Sequence, residues 1–223
     1  MAPKGSAATA RQGRHVKNAH AAMNALPGFQ PQQQSDPHSF NAALHQAALD
    51  TLRAAGHEVR DLDLYKLSFD PVLGAAEKLT YLGDTQVNID ALNAHVEPLQ
   101  WADALVVVYP TWMYGPPAIL KGWLDRVMLP GVAFRLGGHP LRPIRGCLDN
   151  IRHFVGITTS GSPWWWLRVI GDPGRSLFMR GLRPLFARRC CAQWLQLHSM
   201  NHTTRKQRHR FLTRVQACLG RLA

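Results

Sequence analysis

The segment ALVVVYPTWMYGPPAILKGWLDRV (104–127) constrains the fold more than any other stretch of the chain. Ala104 to Val108 is an aliphatic run without polar alternation, the pattern of a parallel strand buried on both faces. The chain then passes through Pro110, Thr111, Trp112, Met113, Tyr114 and Gly115 before two prolines, which suit the first turn of a helix. Ile119/Leu120, Trp123/Leu124 and Val127 recur at helical spacing behind them. Aromatics and backbone amides are thereby placed after the carboxyl end of a strand, which is where α/β sheets hold ligands.

Strand and helix signals alternate elsewhere too. Ser39 is a candidate N-cap for a helix with apolar positions at Phe40, Ala43/Leu44, Ala47/Ala48 and Thr51/Leu52, stopped by Gly56. Residues 57–65 read as a strand, 88–103 as a helix that Pro98 ends or bends, and 153–160 as a strand. Residues 175–189 read as a helix interrupted near Pro184, 194–200 as a last strand and 204–220 as a closing amphipathic helix. The alternation predicts an α/β fold, a doubly wound parallel sheet with helices on both faces. One irregularity stands out: no strand precedes the first helix. PGFQPQQQ (27–34) reads as disordered, and residues 1–35 separate from a domain spanning 36–223.

The net charge of +12 is unevenly distributed. Residues 168–223 carry twelve Lys/Arg against Asp172 alone, whereas residues 36–167 carry ten basic and thirteen acidic groups. Such a tail suits nucleic acid, an anionic membrane or a negatively charged cofactor. RKQRHR (205–210) has no interleaved aromatics to stack on bases, which favours a solvated helix face over nucleic-acid binding. No apolar run approaches the ~20 residues that cross a bilayer. The acid-free, Arg- and Ala-rich start has the composition of an organellar transit peptide but not its amphipathic helix, so the expected location is cytoplasmic. Cys147, Cys190, Cys191 and Cys218 form no C-x-x-C pair, and reduced thiols are expected, with Cys190-Cys191 structural. His198 and His202 straddle a strand end rather than share a helix face, and no metal site is expected.

Three segments should meet at the carboxyl edge. Ser39, Phe40 and Asn41 open the first helix, with the Asn41 side chain facing outward at a positive helix end suited to phosphate. Ser39 as an ordinary cap needs no such ligand. Pro110, Thr111, Trp112, Met113 and Tyr114 form either a ligand platform or a turn packed beneath the sheet edge. Thr158, Thr159, Ser160 and Gly161 offer hydroxyls and amides after another strand, or an ordinary Ser/Gly loop.

Together, PTWMYGPPAILKGWLDRV, SFN at the first helix, TTSGS after a later strand and GVAFR (131–135) resemble the flavodoxin-like NAD(P)H:quinone oxidoreductase family. That family includes quinone reductases, modulators of drug activity and the ancillary subunits of potassium-efflux systems. The resemblance spans about Asp36 to Ala223. It implies FMN or FAD across the sheet edge, with Ser39, Phe40 and Asn41 on phosphate, Pro110 to Tyr114 around the isoalloxazine ring and Thr158 to Gly161 on its other edge. It also implies a hydride passed from NAD(P)H through the flavin to a quinone-like acceptor, and a homodimer. No catalytic side chain is assigned. Some relatives relay charge through a Tyr and a His near the positions of Trp166 and Asp172 here, so that relay is not expected. Trp164, Trp165 and Trp166 form either an aromatic wall over the substrate face or a dimer contact. Other readings are a regulatory subunit of a membrane transporter and a family member that has lost flavin binding.

Relatives begin with a short apolar strand ending in a His-Pro-like pair. Gln34 and Ser35 occupy that pair's positions, so the usual first strand is missing or replaced. Five buried aliphatics at ~1.5–3 kcal/mol each would carry a share comparable to a domain's net stability. An incorrect reading frame upstream of Asp36, a decayed gene copy, or another segment such as 16–26 filling the gap would each account for it. The abrupt stop at Asp36 favours the first.

Overall fold

A computed structural model describes residues 15–20, 39–137 and 144–222. Its centre is β3 (Ala104–Pro110), buried at all seven positions as the aliphatic run requires. Alternation along β3 feeds two cores. Ala104, Val106 and Val108 face one side, where α1 (Phe40–Ala54) presents Leu44, Ala48 and Leu52 and α8 (Arg205–Leu219) presents Phe211, Val215 and Leu219. Leu105, Val107 and Tyr109 face the other, against Leu120, Trp123 and Val127 of α5 (Ala118–Val127). The result is a three-layer α/β/α sandwich.

The sheet runs β2 (Glu58–Asp63), β1 (His15–His20), β3, β6 (His153–Thr159), β7 (Cys191–Leu197), and every pairing is parallel. The place left without a strand in the sequence is therefore filled by residues 15–20, which overlap the 16–26 alternative. Val16 pairs with Val59 on one side and Ala104 on the other. The expectation of disorder at 27–34 lies outside the described residues.

Several boundaries differ from those expected. The 88–103 helix is two, α3 (Thr85–Ala91) and α4 (Asn93–Trp101), broken at Leu92, while Pro98 sits inside α4 without ending it. α2 (Ala75–Thr80) lies in the stretch that carried no signal. The last strand begins and ends three residues earlier than 194–200, so His198 to Met200 lie beyond it. After α6 (Trp164–Val169), the 175–189 helix is reduced to α7 (Pro173–Ser176), a π turn over Leu177–Leu182 and a 3-10 turn over Arg183–Leu185. A separate antiparallel pair joins β4 (Phe134–Arg135) to β5 (Arg145–Gly146). No described helix is long and apolar enough to cross a membrane.

The α5 motif also anchors the 69–77 segment. Arg126 donates from Nε to Glu77 at 3.0 Å and from Nη2 at 2.6 Å, and its guanidinium lies over the Phe69 ring. At Gly122 an added Cβ would lie 2.5 Å from Pro71 Cα and closer still to its carbonyl oxygen. Backbone cannot yield as a flexible side chain can. Gly122→Ala should therefore cost about 1–3 kcal/mol, read as a lower urea midpoint; an unchanged midpoint would show that the Pro71 approach is not a packing constraint.

Candidate functional site at the carboxyl edge

Because all five strands are parallel, their carboxyl ends share one edge. Among the described residues, five non-glycine positions have positive φ: Ser68, Met113, Tyr114, Asp172 and Ser199. All lie beyond the carboxyl ends of β2, β3, β6 or β7. Such conformations cost an L-residue about 1–2 kcal/mol each and persist where surrounding structure enforces them, often at functional sites.

One end of the site is the start of α1. Ser39 caps it, its Oγ accepting from Ala42 N–H at 3.0 Å. The Phe40 and Asn41 N–H groups belong to the first turn, which has no intrahelical acceptor for them, at the positive end of the dipole. The Asn41 side chain does not face outward as expected. It is 7% exposed and donates from Nδ2 to Thr159 Oγ1 at 3.1 Å, which ties α1 to the end of β6. Phe40 packs its ring toward Phe211 at 6.5 Å. Ser39 and Asn41 thus shape the cradle with their side chains and leave its donors to the backbone.

The opposite end follows β3. Pro110 is buried as the strand's last residue, and Thr111 continues the ladder by donating its N–H to Thr159 O at 2.8 Å. Thr111 Oγ1 and Thr158 Oγ1 share a hydrogen bond of 2.9 Å. Trp112 and Gly115 exchange both backbone bonds, at 2.9 and 2.8 Å, around Met113 (φ 41°) and Tyr114 (φ 67°), the sign pattern of a type I′ turn. Met113 is 90% exposed and Trp112 is partly exposed. Two contacts brace the turn: Gly174 N–H donates to Tyr114 O at 3.0 Å, and Trp166 Nε1 donates to Tyr114 Oη at 3.3 Å. Gly174 lies close against the turn, since a Cβ would lie 3.2 Å from both Tyr109 Oη and Tyr114 O and would push them back by a few tenths of an ångström.

Between the two ends, Thr158, Thr159 and Ser160 are buried with hydroxyls engaged inward, and Gly161 is exposed. Ser160 N–H donates to Leu197 O at 2.8 Å, and its Oγ accepts from Ser162 N–H at 3.1 Å. Among the described residues, the N–H groups of Met113, Tyr114 and Gly161 have no hydrogen-bond partner. The expected residues are therefore gathered on one edge, with side-chain hydroxyls engaged within the protein and several backbone N–H groups left without a partner.

Residues 32–179 match a protein family described by its flavodoxin-like fold. The chain belongs to that family. Among curated proteins, this flavodoxin-like chain is 30% identical over 139 residues to NAD(P)H dehydrogenase [quinone] 1 of Rattus norvegicus, covering 56% of this chain and 50% of that protein. It spans about half the length of these curated relatives. Among solved structures, an NAD(P)H:quinone oxidoreductase from Methanothermobacter marburgensis superposes with TM-score 0.73 at 24% identity, over 95% of this chain and 100% of that one. An FMN-dependent NADH-azoreductase from Bacillus anthracis, in complex with FMN, superposes with TM-score 0.74 at 15% identity over 94% and 99%. At these identities the two structures establish the fold.

Beyond the flavodoxin-like pattern, the structure adds Gly174 and His198, which drew no ligand reading from sequence. His198 follows β7 with Nδ1 buried and without a hydrogen-bond partner; burial lowers its pKa, and Asp172 opposes that shift. Gly174 gave no signal because its role is close approach to the Tyr114 turn. The turn itself yields a direct test. Met113 is exposed, so Met113→Gly removes little packing and relieves left-handed strain. It should raise stability by about 0.5–1 kcal/mol in urea denaturation. A lowered midpoint would contradict strain at this position.

Proposed function

We propose that the protein is a flavin-dependent NAD(P)H oxidoreductase that reduces a quinone-like acceptor. The observation that carries this reading is the strained, doubly braced Trp112–Gly115 turn set on the same edge as the amino end of α1. The residues fit a flavin. Phe40 and Asn41 N–H groups suit a phosphate, partly exposed Trp112 and Met113 suit an apolar ring face, and the unpartnered Met113, Tyr114 and Gly161 N–H groups suit its polar edge. A bound FMN or FAD would supply hydride-transfer chemistry between NAD(P)H and the acceptor. Fixed N–H donors would stabilise negative charge on a ring held there, without reorganising as the charge develops.

Acceptor binding falls to the tryptophans of α6. Trp164 is 61% exposed, and Trp165 meets Trp166 edge-on at 5.8 Å between centroids. The Trp166–Tyr114 bond joins this wall to the turn, so a flat acceptor would be flanked by aromatic surface and shielded from water. The similarity to an NAD(P)H dehydrogenase acting on quinone and the shared fold with an FMN-bound azoreductase support the reading. A homodimer is part of the proposal. Val72, Leu79, Leu82 and Val87 are each exposed in the segment 72–87, with Leu79 85% exposed, and a partner copy would cover them.

One reconstitution experiment tests both parts. The purified chain is incubated with FMN or FAD and passed through gel filtration. Flavin should co-elute, be bleached by NADPH or NADH and recover its colour with a quinone. Trp112→Ala with Tyr114→Ala should lower retained flavin about tenfold or more while the circular-dichroism spectrum is kept; equal retention would overturn the platform. Elution at the mass of one 24.9 kDa chain would overturn the dimer.

A further inference from the structure

The four cysteines are not equivalent once folded. Strand alternation divides the vicinal pair. Cys190 is buried in the core shared with Phe154, Phe178 and Phe186, whereas Cys191 begins edge strand β7 and is exposed. Cys191 therefore shares the face of Gln193, Leu195 and Leu197. That face is covered by α8, as Leu195 packs in one cluster with Phe211, Val215 and Leu219. Near the end of α8, Cys218 donates its S–H to Gln193 Oε1 at 3.1 Å. The residue two places before Gln193 on the same face is Cys191.

We propose that Cys191 and Cys218 form a reversible disulfide that fastens helix α8 to the edge strand. A bridge needs Cα atoms within about 7 Å, so Cys218 must leave Gln193 and turn one pleat along the strand. The Cys218 contact with Gln193 already places that thiol beside the start of β7, two residues from Cys191. The Cys218 pKa is raised. Burial is the larger cause of that rise, while Arg221 and Arg214 work against it. Cys191 is exposed and Cys218 half-buried, so Cys191 is the thiol an oxidant reaches first and Cys218 the one that resolves.

With glutathione disulfide as oxidant, the Cys191 thiolate attacks one of its sulfurs and releases one glutathione thiolate. The Cys218 thiolate then attacks the Cys191 sulfur of the mixed disulfide and expels the second glutathione. The protein gives up two electrons and two protons, and glutathione disulfide becomes two glutathione molecules. The bridge would hold α8 against α1, the helix whose first turn, on the function proposed above, receives the phosphate.

Oxidation of the full chain with glutathione disulfide, followed by thiol alkylation and non-reducing tryptic mass spectrometry, tests this. A cross-linked pair joining 190–205 to 215–221 should appear, survive in Cys190→Ser, and vanish in Cys191→Ser and with dithiothreitol. Oxidation should also raise the Tm by roughly 5 °C or more in the native chain and not in Cys191→Ser. Glutathione left on Cys191 while Cys218 remains alkylated, or a bridge to Cys190 or Cys147, would overturn the proposal. Matching Tm values for the reduced native chain and both variants ensure that a missing bridge is not a folding failure.

Discussion

The site depends on an unbroken ladder of backbone hydrogen bonds across five parallel strands, and β1 is the strand that makes it unbroken. It stands between β2 and β3 and pairs with both, so its N–H and C=O groups are used on each side. Removing it would leave β3 an open edge in the interior, where each unsatisfied buried group costs about 1–3 kcal/mol. The same strand ends at the edge where Ser39 starts α1, so the placing of that helix start rests on the register that β1 sets.

On that frame the site is held by polar contacts that point inward. Asn41 joins the start of α1 to Thr159, Thr111 joins the exit of β3 to Thr158, and Ser160 joins the exit of β6 to Leu197. Each uses a group that a ligand could have taken. What they leave to a ligand is backbone, fixed in place before anything binds. This is preorganisation by positioning, and strained φ values gather at the same edge.

β3 and α5 were legible because burial on both faces and a helical stripe both write themselves into the residue pattern. β1 was not. HVKNAH has two apolar residues among six, and nothing in that composition announces a central strand. β7 was placed three residues late because Cys191, Ala192 and Gln193 lack the aliphatic character of Leu195 and Leu197. The edge residues were found as a group, yet the inward turn of Asn41 was hidden, since its acceptor Thr159 is 118 positions away. The left-handed turn was hidden as well: Met113 and Tyr114 occupy positions where glycine or asparagine would have signalled it. Tertiary contacts, not local preference, hold them there.

The most direct test of this account is native-state hydrogen exchange of the backbone amides from Val16 to His20. If these residues form the strand between β2 and β3, their protection should approach that of Val106 to Val108 in the adjacent strand. Exchange at the rate of an open chain, while β3 and β6 stay protected, would show that residues 15–20 do not complete the sheet and that the edge site rests on some other support.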